Sequence, residues 1–233
     1  MSAKPAASTR PPTPAPLPPG GRRNDLISAA LRVVVAGIAI LTVVNLLGGG
    51  GPSQLLTFTL QSNTMIAVSF LWTAHALVWR QHTPPEWLAG SSVFYLTITG
   101  IVYRFVLGTG DAGSPNVIFG LSNSDLEHIV TPIAALAIWI VFDEHRRIPW
   151  EYVWIWLAYL VGYLALVLTA VAVTSLRAPY PFLDADVLGT WGVAWRIAVY
   201  MSGFCMLSAS MIALDRWLPA RTPLSEFDPY DQG

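Results

Sequence analysis

Six apolar stretches, at about 26–48, 54–79, 87–107, 125–142, 150–174 and 191–214, constrain this chain more than any other feature. A helix needs about 20 predominantly apolar residues to cross the hydrocarbon of a bilayer. No water is available there to satisfy backbone N–H and C=O groups, so segments of this kind become helices. The stretches are sharply punctuated. Gly48-Gly49-Gly50-Gly51-Pro52 separates the first two and Thr83-Pro84-Pro85 the second and third. A Gly-, Ser- and Asn-rich run over 108–123 separates the third and fourth. The expected fold is an all-α polytopic membrane protein with six transmembrane helices.

Composition agrees. The chain is 54% hydrophobic and only 12% charged, about half the charge of a soluble domain. Its ten Trp, eight Tyr and nine Phe form the aromatic load expected at membrane interfaces. A net charge of −1 gives no electrostatic basis for a nucleic-acid partner. The single cysteine, Cys205, excludes an intrachain disulfide and a thiolate metal cluster. Seven prolines in Met1–Gly21 and little apolar surface describe a tail that cannot bury a core. A partner-binding proline motif is the alternative reading of that tail. The apolar run begins too far in for a cleaved signal peptide. The expected organisation is a Pro-rich cytoplasmic tail over 1–24, a six-helix transmembrane domain over 25–218 and a short cytoplasmic tail over 219–233.

Basic residues set the expected orientation. Lys4, Arg10, Arg22, Arg23, Arg80, Arg146, Arg147, Arg216 and Arg221 fall on one side if the chain crosses six times. Arg177 lies on the other side, with Arg104 and Arg196 near span ends. The positive-inside rule then places both termini in the cytoplasm of a multi-pass cell-membrane protein. Arg32, in the first turns of span one, is expected to snorkel to the cytoplasmic headgroups. Trp150, Trp154, Trp156, Trp191, Trp195 and Trp217 read as interface anchors.

Two polar islands interrupt the apolar spans: Phe58-Thr59-Leu60-Gln61-Ser62-Asn63 and Glu127-His128-Ile129-Val130-Thr131-Pro132. Six crossings bring both in from the outer side, on the order of 5–8 Å below the boundary at 1.5 Å rise per residue. Thr59, Ser62 and Asn63 share one helix face, as do His128 and Thr131. Pro132 cannot donate to the carbonyl four residues back, that of His128, so the helix should bend there and free an acceptor. Open backbone at membrane depth is tolerated where it is buried in protein or lines a cavity. Tyr103 and Arg104 end span three at the same level, Arg196 lies about one turn into span six, and Ala178-Pro179-Tyr180-Pro181-Phe182-Leu183-Asp184 lies directly above.

Each of these groups has a plain reading and a chemical one. A membrane threonine usually bonds its own backbone or joins helices, and Asn63 fits an interhelical hydrogen bond. Arg196 can pair with Asp184, Asp186 or Glu127, or can meet a substrate's acidic group. A hydroxyl and an imidazole at one depth are also a nucleophile and its base. Threonine needs a neighbour to take its proton, and an imidazole does this near neutral pH. It can then protonate the departing alkoxide of an ester. Asn63, Ser62 or Arg196 are the expected oxyanion donors. Glu127 is expected to point away, so no carboxylate orients His128.

These same residues carry a family resemblance. The Phe58–Asn63 island, His128 with Pro132, Tyr180-Pro181-Phe182-Leu183-Asp184 and Leu214-Asp215-Arg216 resemble bacterial six-span relatives of the androgen-induced membrane proteins. That family includes the androgen-dependent TFPI-regulating protein. The resemblance covers about residues 25–218. It implies a membrane threonine hydrolase that cleaves fatty acid esters of hydroxy fatty acids, with Thr59 as nucleophile and His128 as base. Relatives often carry Tyr-Phe-Thr where this chain has Thr57-Phe58-Thr59, and Thr59 is favoured over Thr57 because it shares a face with Asn63.

Three functions therefore compete. A hydrolase of lipophilic esters uses Thr59 and His128, supported by Ser62, Asn63, Arg104, Thr131, Tyr180, Asp184 and Arg196, with no cofactor or metal. A lipid or small-molecule binder or transporter would use the same pocket without chemistry, although the two halves show no convincing repeat. A haem carrier is disfavoured, because His75 lies near the opposite end from His128 and His82 and His145 fall in loops. The expected partners are the bilayer and a membrane lipid or lipophilic ester.

Overall fold

The computed structural model describes residues 19–49, 52–108, 116–174 and 176–219. Most of both expected tails and the middle of the 108–123 connection lie outside the described residues. The described chain is mostly helical: α1 Pro19–Gly49, α2 Phe58–Trp79, α3 Glu86–Leu107, α4 Asn123–Phe142, α5 Tyr152–Val173 and α6 Ala185–Trp217. Five of these helices, all but α2, are long and apolar enough to cross a membrane. At 22 residues α2 is as long and carries no Asp, Glu, Lys or Arg. Gln61-Ser62-Asn63, Ser69, Thr73 and His75 lower its hydropathy.

Burial explains why α2 tolerates Ser62, Asn63 and Ser69. Ser62 and Asn63 are fully enclosed and Ser69 nearly so. The helix packs mainly between α1 and α3, so the face bearing Ser62, Asn63 and Ser69 meets protein, whereas His75 is exposed and stacks on Trp79. The Tyr159 hydroxyl donates to Gln61 Oε1 at 2.6 Å and Tyr95 donates to the Trp156 carbonyl at 3.0 Å. Phe58, Tyr95 and Tyr163 pack edge to face around this joint. At the far end of α2, Arg22 donates to the carbonyls of Leu77 and Val78 at 3.2 and 3.1 Å. A cation there complements the exposed carbonyls of a helix C-terminus.

Several expected boundaries move. The first helix starts at Pro19, inside the segment assigned to the tail. The second begins at Phe58 because Thr57 caps it, its side chain accepting from the Leu60 N–H at 3.4 Å. Thr59 is therefore the second residue of α2 and lies at its mouth. The sixth starts at Ala185, with a break at Gly189, whose φ of 66° suits a residue without Cβ. Within the expected loop, Asn116–Ile118 pairs antiparallel with Leu121–Ser122. Phe119 and Gly120 have φ of 50° and 79° at the turn, the two left-handed positions that suit a tight hairpin.

A second polar cluster closes the end of the bundle away from Thr59. Arg32 is 2% exposed and pairs with Asp143 and Ser28, its guanidinium 5.3 Å from the Phe70 ring. The expected snorkelling arginine is thus an internal cross-link from α1 to the end of α4. His145, expected in a loop, is also buried: Nδ1 meets Asp215 Oδ1 at 3.1 Å and Nε2 the Ile140 carbonyl at 3.1 Å. Asp215 accepts from the Ile148 N–H at 3.2 Å on its other oxygen. One carboxylate of α6 thereby ties His145 and Ile148 of the 143–151 turn together.

Candidate active site

Two local distortions build the site. Residues Leu126–Val130 of α4 form a π turn, the wider coil that results when one extra residue enters a helix. Thr131 stabilises it by donating to the Leu126 carbonyl, five residues back, at 2.7 Å. Pro132 cannot bond the His128 carbonyl, and that carbonyl instead faces Gly100 of α3. A Cβ on Gly100 would stand 3.0 Å from it and 3.2 Å from Pro132 Cβ. The last turn of α3, Tyr103–Leu107, is also π. It stacks the Tyr103 ring on the His128 imidazole, with centroids 4.2 Å apart and planes 14° apart.

The imidazole is held on both edges. Nδ1 lies 3.0 Å from the Ser124 carbonyl and 3.3 Å from the Ser124 hydroxyl. A carbonyl can only accept, so Nδ1 carries the proton and Nε2 is left as the basic nitrogen. Nε2 lies 3.3 Å from Thr59 Oγ1. The Glu127 carboxylate is also near, with Oε1 3.5 Å from Nδ1 and Oε2 accepting from Asn123 at 3.2 Å. The expectation that Glu127 points away is overturned by the π turn, which rotates it relative to an α-helical setting. A backbone carbonyl and a nearby carboxylate thus stand where a triad has its orienting acid.

The supporting residues divide. Ser62 and Asn63 both donate to the Thr59 carbonyl, at 3.2 and 3.0 Å, and Ser62 shares a hydrogen bond with Thr99 at 2.8 Å. They fix the Thr59 backbone from behind and do not line the cavity; the expected oxyanion role for them fails on this geometry. Thr131 is wholly buried in the π turn. Asp184 caps α6 by accepting from the N–H groups of Asp186 and Val187 at 3.0 and 3.3 Å. Arg104 is exposed beside Phe105, and neither it nor Arg196 lines the cavity. Tyr180 does line it, and its Oη accepts from the Phe58 N–H at 2.9 Å.

Thr59 and His128 open into a solvent-connected pocket between α2, α3, α5, α6 and the 176–184 segment, with room for water-sized molecules over about 60 Å³. Beyond the polar mouth its walls are Ile98, Val102, Leu160, Leu164, Ile197, Met201 and Phe204. Among the described residues no group of His, Cys, Asp and Glu side chains is arranged to hold a metal ion. Sequence reasoning missed Gly100 and Ser124 and gave Tyr103 no task. A glycine opposite a His-x-x-x-Pro segment becomes legible only once α3 and α4 are known to touch. No family model, curated protein or solved structure matches this chain.

Proposed function

We propose that this protein is an integral membrane hydrolase of lipophilic esters, with Thr59 as nucleophile and His128 as general base. The carrying observation is the polarised chain Thr59 Oγ1, His128 Nε2, His128 Nδ1 and Ser124 carbonyl, with links of 3.3 and 3.0 Å, opening into an apolar cavity. Thr59 Oγ1 attacks the ester carbonyl while Nε2 takes its proton. The imidazolium, stacked on Tyr103 beside Glu127, returns that proton to the alkoxide as the C–O bond breaks. Water, deprotonated by the same imidazole, then cleaves the acyl-threonine. The apolar walls suit an acyl chain, and so small charged esters are poor candidates. The resemblance to the androgen-induced membrane proteins supports the same reading, and we propose kinship with them.

We further propose six crossings with both termini cytoplasmic. At 1.5 Å per residue the 22 residues of α2 reach about 33 Å, enough for the hydrocarbon core. Its Ser62, Asn63 and Ser69 face protein, and the cluster of basic residues at the Arg80, Arg146 and Arg216 end supports the orientation. In a Cys205→Ser background, a cysteine placed at Ala178 should react with an impermeant maleimide from outside intact cells, and one at Arg146 should not. The reverse pattern contradicts the orientation.

Purified protein is expected to hydrolyse a long-chain nitrophenyl ester faster than the acetyl ester. Turnover no greater than that of heat-unfolded protein contradicts the hydrolase reading. Gly100 offers a structural lever on the same activity. Gly100→Val forces the His128 peptide away from α3, and displacements approaching 1 Å cost on the order of 10²-fold. Turnover should fall by about that factor while circular dichroism still reports a folded helical protein. Unchanged turnover would mean that the α3 contact does not position the base.

A further inference from the structure

Attack on an ester carbonyl places a negative charge on its oxygen within about 3 Å of Thr59 Oγ1, and catalysis requires a fixed donor there. Ser62 and Asn63 are turned toward the Thr59 carbonyl. Of the other hydroxyls lining the cavity, Thr99 shares a hydrogen bond with Ser62 at 2.8 Å, Tyr163 donates to the Leu56 carbonyl at 2.8 Å, and the ring of Tyr200 on α6 packs edge-on against Phe182. Tyr180 differs, because its oxygen accepts from the Phe58 N–H at 2.9 Å. The phenol also interacts with the Thr59 hydroxyl and amide and with the Tyr163 phenol. With a lone pair engaged by backbone N–H, its own proton lies between the Tyr163 oxygen and a partner beside Thr59 Oγ1.

We propose that Tyr180 is a catalytic residue, its phenol O–H donating a hydrogen bond to the oxyanion that forms when Thr59 attacks the ester. This rests on the reading of Thr59 as nucleophile. The segment is built to hold the ring still. Pro179 and Pro181 flank it, the Leu183 N–H returns to the Tyr180 carbonyl at 3.0 Å, and Leu183 is 2% exposed. Phe182 stacks on the Tyr180 ring, with centroids 5.2 Å apart and planes 3° apart. Such locking keeps the donor aimed without reorganisation during the reaction. Burial pushes the phenol above the ordinary tyrosine range, with smaller opposing effects from hydrogen bonds to Thr59, Phe58 and Tyr163, so it stays protonated at neutral pH. The other titratable groups lining the cavity are His128 of α4, Tyr163 of α5 and Tyr200 of α6.

The test compares ester turnover in the full-length protein for wild type, Thr59→Ala, Tyr180→Phe and a variant carrying fluorotyrosine at position 180. Tyr180→Phe should lower kcat by about 10²- to 10³-fold with KM changed no more than a few-fold. Fluorination lowers the phenol pKa, so the alkaline limb of kcat should move to lower pH. A Tyr180 that only caps the Phe58 N–H needs oxygen in either protonation state and would leave that limb unmoved. A kcat within three-fold of wild type in Tyr180→Phe, or an unmoved alkaline limb, overturns the proposal. The fluorotyrosine arm decides alone if Tyr180→Phe does not fold. Full activity in Thr59→Ala sinks the nucleophile reading and Tyr180 with it, whereas an inactive Thr59→Ala beside an unaffected Tyr180→Phe sinks only Tyr180.

Discussion

Thr59→Ala and His128→Ala are each expected to reduce ester turnover by at least about 10³-fold, with the double variant no worse than either alone. In the proposed mechanism the two groups act as a unit: the hydroxyl is a poor nucleophile without the base, and the base has no proton to take without the hydroxyl. Both variants should remain folded. Thr59 lies at the mouth of α2 and makes no capping bond to it, and alanine is compatible with a helix at either position. Thr57→Ala is the informative control. It deletes the α2 cap, costing about 1 kcal/mol of stability, yet removes no reacting atom, so turnover should stay within a few-fold. Thr57→Ala as damaging as Thr59→Ala would mean that the Thr59 effect is structural.

The second large effect is on folding. Asp215 is fully buried and receives His145 Nδ1 on one oxygen and the Ile148 N–H on the other. Asp215→Ala leaves both donors enclosed without an acceptor, a class of change that costs about 3–5 kcal/mol. For a domain of this size that corresponds to a fall in Tm on the order of 10 °C, measurable by thermal unfolding in detergent. Asp215→Asn keeps an oxygen for one of the two donors and should fall between alanine and wild type. An alanine variant melting within 2 °C of wild type would mean that the 143–151 turn is held by its apolar contacts alone. The distance of this cluster from Thr59 makes the effect separable: residual folded protein should keep its turnover.

The long apolar stretches and glycine–proline breaks made the helices legible, because length and hydropathy are properties of sequence segments taken one at a time. Thr59 and His128 were legible for a similar reason, as polar groups out of place in apolar runs. What remained hidden depends on coil geometry and contact. Pro132 signalled a disturbance at His128, but a bend and a π turn aim neighbouring side chains differently. The π turn is what brings Glu127 beside Nδ1. Arg32 read as a snorkelling cation because its partner, Asp143, is remote in sequence and joins it only through the α1–α4 packing. Ser62 and Asn63 shared a face with Thr59 as expected, yet at the start of a helix that face turns their donors onto the Thr59 carbonyl. Tyr180 reads from the sequence as a supporting residue in a rigid loop above the site, with no partner assigned; its hydrogen bond to the Phe58 N–H gives it a defined place.

A fluorophosphonate bearing an alkyl chain tests the central claim most directly, since it is attacked by an activated hydroxyl and leaves a stable adduct. Peptide mapping by mass spectrometry should find the adduct on Thr59, with labelling abolished in His128→Ala. An adduct on another residue, or labelling that survives in His128→Ala, contradicts a Thr59–His128 nucleophile.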